Sequence, residues 1–171
     1  MFQQLISFFQ KRPKKTSHTT QNMTKAYFSP GEDCANAIVR ALQNAKHSAD
    51  ICVFTISDDK ISREIIACHR RKIKIRILTD NEKWHDLGSD IEQMAKVGIA
   101  TRIDETPGHM HHKFMIVDTA ILINGSYNWT KSAAVSNHEN VIVSTEKELV
   151  AAFSTQFEKM WKEMEQFTGN S

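Results

Sequence analysis

Between Lys25 and Glu165 the apolar positions change period several times, and each change predicts an element. Ile38, Val39, Leu42 and Ala45 recur at helical spacing and predict a helix over Asp33–Lys46, with strands at Ala26–Ser29 before it and Ile51–Thr55 after it. Lys60–Arg70 again reads as a helix. Lys72–Thr79 then places Lys72, Lys74 and Arg76 on one face and Ile73, Ile75 and Ile77 on the other, the two-residue period of a strand. Ser89–Lys96 is a short helix closed by Gly98 at its C-terminal cap, and Ile99–Asp104 is a strand. Three further strands are expected at Lys113–Asp118, Ile121–Asn124 and Glu139–Ser144. A long last helix opens on the capping-box pattern Thr145-x-x-Glu148 and carries Leu149, Val150, Phe153, Phe157, Met160, Trp161 and Met164 down one side. Strands alternating with amphipathic helices, with no internal repeat, predict an α/β domain.

The first residues follow a different pattern. Phe2, Leu5, Ile6 and Phe9 lie at helical spacing, Lys11, Arg12, Lys14 and Lys15 come next, and a Lys-, Ser- and Thr-rich stretch leads to Met23. This divides the chain into an N-terminal amphipathic segment with a basic linker, residues 1–24, and a domain over residues 25–168. The apolar stretch is too short to span a bilayer, and its charges follow it, the reverse of a secretory signal. A cytoplasmic location is therefore expected, with residues 1–15 a candidate for peripheral contact with an anionic membrane surface.

Composition narrows the picture only a little. At 171 residues and 40% hydrophobic content the chain can bury one core, and a formal charge of +2 does not by itself identify a polyanion binder. Cys34, Cys52 and Cys68 are an odd set without the close pairing of a disulfide framework or a zinc site, which indicates a reducing compartment.

The chemistry concentrates in Gly108-His-Met-His-His-Lys-Phe-Met-Ile-Val-Asp118, Asn124-Gly-Ser-Tyr-Asn-Trp-Thr130 and Asn137-His-Glu-Asn140. A two-residue hairpin turn at Thr119-Ala120 would set Asp118 against Ile121, Lys113 against Ser126 and His111 against Asn128. A bulge would shift that register by one. Strand parity points His111 and Lys113 one way and His112, Phe114, Ile116 and Asp118 the other. A nucleophile, a cation and two neutral donors on one face suit an anionic tetrahedral centre such as a phosphodiester. Lys113 and Asn128 would stabilise its oxygens, and Glu139 is the candidate to orient a neutral, attacking His111.

The pattern His111-x-Lys113-(four residues)-Asp118-(six residues)-Gly125-Ser126-x-Asn128 resembles the His-Lys-Asp signature of the phospholipase D superfamily. Pro107-Gly-His-Met-His-His-Lys-Phe, Gly125-Ser-Tyr-Asn-Trp-Thr and Glu139-Asn-Val-Ile are similar to the mitochondrial cardiolipin hydrolase and Zucchini group and to small bacterial endonucleases of that superfamily. The resemblance implies an α-β-α sandwich with a mixed sheet flanked by helices. It also implies metal-independent hydrolysis through a phosphohistidine, with neither metal nor cofactor. The chain holds one copy of the motif, so the resemblance implies a homodimer that places two His111 residues face to face. On these positions His111, Lys113, Asp118 and Glu139 form the catalytic set, Asp118 in a structural role, while Ser126 and Asn128 bind phosphate. There is no zinc-binding cysteine insertion of the Zucchini type.

Other residues carry alternative readings. His109, His111 and His112 could form a metal cluster with Asp104 or Asp118, but His112 points away from its neighbours, and His109 reads better as a residue at the edge of the site. Asp80-Asn81 and Trp84-His85 lie where α/β proteins bind ligands, which makes Trp84 a candidate to stack on a base. Lys72, Lys74 and Arg76 read either as a solvated strand face or as a phosphate track. The leading expectation is an endonuclease acting on single-stranded DNA or RNA. The alternative is a phospholipase D-type hydrolase of cardiolipin or a related lipid.

Overall fold

The computed structural model describes residues 22–83 and 88–167. The N-terminal amphipathic segment and Trp84 lie outside them. Ten strands and five helices follow in the order β1 (Thr24–Phe28), α1 (Asp33–Asn44), β2 (Ser48–Val53), β3 (Ile56–Ser57), α2 (Asp59–Arg70), β4 (Lys74–Asp80), α3 (Ile91–Lys96), β5 (Ala100–Asp104), β6 (Lys113–Val117), β7 (Ile121–Gly125), β8 (Trp129–Thr130), α4 (Lys131–Val135), β9 (Asn140–Ser144), α5 (Lys147–Glu163) and β10 (Glu165–Gln166). Eight strands form one mixed sheet in the order β1-β9-β7-β6-β2-β4-β5-β10, and β3 pairs with β8 apart from it. β2, β4 and β5 are parallel, whereas β6 runs antiparallel to β2.

Period-two alternation sorts the core into two layers. Ala49, Ile51 and Val53, Ile75 and Ile77, and Met115 and Val117 pack with α1, α2 and α3. Cys52, Leu78, Phe114, Ile116 and Leu122 pack on Val150, Phe157 and Met160 of α5. The expected α-β-α sandwich results, and the three cysteines are free and buried within it. Asp58 starts α2 by accepting from Lys60 N and Ile61 N at 2.8 and 3.3 Å. Gly98, at φ 91°, closes α3 as expected, with Ile99 N donating to Met94 O at 3.1 Å.

Three expectations need correction. Thr145 does not cap α5; its hydroxyl accepts from Met23 N at 2.8 Å and ties the start of β1 to the end of β9, while the helix begins at Lys147. Lys72 is not on the β4 face, because it sits at φ 68° in the turn after α2. Nor is Arg76 part of a phosphate track. Its guanidinium forks onto Asp50 at 2.7 and 2.8 Å, reaches Glu158 at 2.6 Å and lies 4.8 Å from the Phe157 ring centroid. This pairing holds Glu158 below the usual carboxylate range and leaves Arg76 committed to the sheet–α5 interface.

Candidate active site

The site lies where β2 and β4 end, β6 begins, and β7 meets the start of β9. The hairpin that feeds it is one residue longer than a Thr119-Ala120 turn. Val117 pairs with Ile121 and Phe114 with Asn124, and the loop is Asp118-Thr119-Ala120. Asp118 and Thr119 both have φ 52°, and Ala120 N donates to Val117 O at 3.0 Å, so the positive-φ pair of a primed turn falls one residue earlier than expected. The pairings of Lys113 with Ser126 and His111 with Asn128 are therefore not formed.

A second irregularity brings these residues near one another instead. Ser126 N and Tyr127 N both point at Asn140 O, at 3.1 and 3.4 Å, so two residues oppose one and the chain turns out of the ladder after Gly125. Ser126 Oγ then meets Glu139 Oε2 at 2.5 Å and Asn140 Oδ1 at 3.1 Å. Asn137 Nδ2 donates to the other Glu139 oxygen at 3.1 Å. Among the described residues the Glu139 carboxylate is engaged by Ser126 and Asn137 and not by His111. The Asn128 amide keeps Oδ1 buried without a hydrogen-bond partner among the described residues, so the fold itself does not tie it down.

Lys113 is almost fully buried at the start of β6. Its ammonium donates to His111 O at 2.8 Å and lies 5.0 Å from the centroid of the Phe54 ring. Burial pushes its pKa down to about 8, with Glu139 and Asp80 pulling the other way. His111 is exposed, and its ring packs edge-on against Phe54 with centroids 4.7 Å apart. Partial burial, then Lys113 and His109, lower its pKa, which favours the neutral imidazole.

Asp118 sits at the other end of β6, turned away as parity expects. Its carboxylate accepts from Lys46 N, His47 N and Ser48 N at 2.7 to 2.9 Å and fixes the α1–β2 connection. Those amides hold its pKa below the ordinary carboxylate value against a desolvation effect that raises it. Its place is structural, the length of β6 away from His111.

Two residues outside the expected set also shape the site. Asp80 is fully buried at the end of β4 and accepts from Met110 N at 2.9 Å, which fixes the segment leading to His111. Its position at the C-terminal end of a parallel strand is the sequence signal for it. Phe54, the last residue of the apolar run Ile51-Cys52-Val53-Phe54, lies among His109, His111 and Lys113. His109 faces Asp80 at 3.5 Å and Glu82 at 3.9 Å, and the ligand atoms of these three residues lie within 4.8 Å of one another. Among the described residues that trio, not the run His109-His111-His112 with Asp104 or Asp118, is the group whose ligand atoms lie close enough to hold a divalent ion. Beside His111 a cavity of about 400 Å³ is floored by Met110, Met160 and Met164 and rimmed by Asp104, His109, His112 and Gln156.

Comparison with known proteins places this geometry. The family described as "Cardiolipin synthase, PLD-like domain" matches residues 38–161. A mitochondrial cardiolipin hydrolase of Chlamydomonas reinhardtii is 47% identical over 120 residues, 70% of this chain and 54% of that protein. The mitochondrial cardiolipin hydrolase of Homo sapiens is 40% identical over 133 residues, 78% of this chain and 53% of that protein. The chain thus spans about half the length of these curated relatives. Among solved structures, Nuc from Salmonella typhimurium, a phospholipase D family member, superposes with a TM-score of 0.80 at 24% identity, covering 86% of this chain and 99% of that one. NucT from Helicobacter pylori gives 0.77, also at 24% identity, covering 86% of this chain and 100% of that one. Among the described residues no helix is long and apolar enough to cross a membrane.

Proposed function

We propose, from the premise that this chain belongs to the PLD-like domain family, that it hydrolyses phosphodiesters by attack of a neutral His111 on phosphorus. The observation that carries the reading is the placement of an exposed imidazole, His111, beside the buried ammonium of Lys113, which donates to His111 O at 2.8 Å. Attack by an imidazole nitrogen forms a phosphohistidine and expels one ester oxygen as an alcohol. Water then cleaves the P–N bond and restores His111. Lys113 and the Asn128 amide stabilise the nonbridging oxygens, and Ser126, held by Glu139, is a further donor. A second copy of the chain supplies the opposing His111, which protonates the leaving oxygen and later activates water. Glu139 orients His111 within that assembly.

For the substrate we infer a phospholipid of the cardiolipin class, because the curated relatives at 47% and 40% identity carry that name. With Arg76 committed to Asp50 and Glu158, the argument for nucleic acid from a basic strand loses its central residue. Single-stranded nucleic acid remains the second reading, favoured by the polar rim of the cavity beside His111. The test incubates the purified chain, in excess chelator, with cardiolipin vesicles and with labelled single-stranded DNA and RNA. Release of phosphatidate from the vesicles is expected; cleavage of nucleic acid alone would overturn the substrate assignment, and loss of activity on chelation would overturn the metal-independent mechanism.

The pH dependence follows from the same two residues. Activity falls on the acid side as His111 is protonated, at a pH below that of an ordinary histidine. It falls on the alkaline side as the opposing His111 loses the proton it must donate, and falls further near pH 8 as Lys113 loses its own. Lys113→Arg replaces the ammonium with a guanidinium that stays charged beyond pH 12 or so. A pH–rate profile of this variant should keep both limbs that belong to the two His111 residues and lose the further fall near pH 8. A fall near pH 8 unchanged in Lys113→Arg would show that another group titrates there.

A further inference from the structure

We propose that Phe54 is a positioning residue of this site, its ring setting the orientation of the His111 imidazole and the location of the Lys113 ammonium. This rests on the reading of His111 and Lys113 given above. Phe54 follows the last residue of β2, and its backbone is fixed from both sides. Its N–H donates to His112 O at 3.0 Å, and its carbonyl accepts from the hydroxyl of the fully buried Thr79 at 3.2 Å. The ring therefore projects from a rigid point between the end of β4 and the segment that carries the nucleophile.

Around this half-buried ring the structure places groups that an ordinary core phenylalanine does not collect. The His111 ring meets it edge-on, with centroids 4.7 Å apart and planes at 64°, and the His109 ring meets it at 5.7 Å and 77°. The Lys113 ammonium lies 5.0 Å from the ring centroid while also holding His111 O at 2.8 Å. Among the described residues the His111 imidazole has no hydrogen-bond partner, and Glu139 is occupied by Ser126 and Asn137. Within one subunit the contact with Phe54 is thus what limits rotation of the nucleophile. A flat quadrupolar ring does this where an aliphatic side chain of equal bulk would not: its edge and face favour one mutual angle with an imidazole, and its face attracts a cation. Lys113 is thereby kept beside His111 without a direct ion pair among the described residues, and such a partner would compete with the substrate's own negative charge.

The test compares wild type, Phe54→Leu, Phe54→Met and Phe54→Tyr in the full chain, with bis(p-nitrophenyl) phosphate as the probe in chelator and with the titration of His111 followed by NMR. Phe54→Leu and Phe54→Met remove the ring, and kcat is expected to fall by about tenfold or more with KM changed by less than about twofold. Phe54→Tyr keeps the ring and is expected to stay within about threefold of wild type. The titration midpoint of His111 should rise toward that of an ordinary histidine in the Leu and Met variants and stay put in the Tyr variant, a change that loss of packing elsewhere would not produce. Should Phe54→Leu fail to fold, Phe54→Met, unbranched and adaptable, carries the comparison. Equal losses in all three variants, or an unchanged midpoint and kcat without the ring, would overturn the proposal. If wild type hydrolyses no phosphodiester at all, the proposed function falls, but the NMR titration still decides whether Phe54 positions His111.

Discussion

His111→Ala should lower kcat by at least about three orders of magnitude while leaving the fold intact. In the proposed mechanism the imidazole forms the covalent intermediate, and water entering the vacated space is a weaker, unoriented nucleophile. The side chain is exposed and has no hydrogen-bond partner among the described residues, so its removal should change stability by no more than about 0.5 kcal/mol. Two measurements separate the nucleophile from a mere binding residue. In wild type, alkaline quenching during turnover of a phosphorus-labelled substrate should trap acid-labile label on the protein, and His111→Ala should trap none. Because each site in the proposed dimer uses both His111 residues, heterodimers with one wild-type subunit are also inactive. Activity of unfolded and co-refolded mixtures then follows the square of the wild-type fraction, about a quarter at equal amounts. A linear decline would mean that each subunit acts alone.

How much of this was legible in the sequence differs from element to element for physical reasons. α1, α2, α3 and α5 announce themselves because each buries one stripe against the sheet, β4 because basic residues and isoleucines alternate along its first half, and β6 because both of its faces are covered and its apolar residues run together. β3, β8 and β10 are two residues long, and α4 spans five, too few to establish any period. The hairpin register was open to an error of one residue, because Asp118 and Thr119 rather than Thr119 and Ala120 take the left-handed conformation. Such a slip moves every partner: the expected register paired Lys113 with Ser126, the observed one does not, and the bulge at Asn140 gathers the site by another route. Residue types at the site were readable because the chemistry restricts them. The contacts of Phe54, Asp80 and Glu139 were not, since an aromatic residue in an apolar run and two carboxylates at strand ends acquire their meaning only from what crosses them in space.

Among the glycines of the described residues, Gly125→Ala should be the most damaging replacement. Gly125 has no left-handed backbone requirement, so its need for glycine is purely one of space. A Cβ built there would lie 2.0 Å from Asn140 O, 2.8 Å from Asn140 C and 3.0 Å from Val141 Cα. All three are backbone atoms of β9, which is held on its other side by the full length of β1, so nothing flexible can yield. Relief requires prising β9 from β7, and the atom displaced first is the carbonyl that accepts from both Ser126 N and Tyr127 N. The expected cost is about 3 kcal/mol or more, equivalent to a fall in Tm of roughly 6–12 °C for a domain of this size. Activity should drop by more than about tenfold even where the variant folds, because Ser126, Asn128 and Glu139 are all placed by that strand crossing. Gly108→Ala is the control: its added methyl would meet Thr106 Oγ1 at 3.9 Å, ordinary contact, and its Tm should match wild type within about 2 °C. Thermal denaturation of the two variants side by side decides the matter. A Gly125→Ala protein as stable as Gly108→Ala would mean that β7 and β9 do not approach as closely as this geometry requires, and the placement of Glu139 against Ser126 would fall with it.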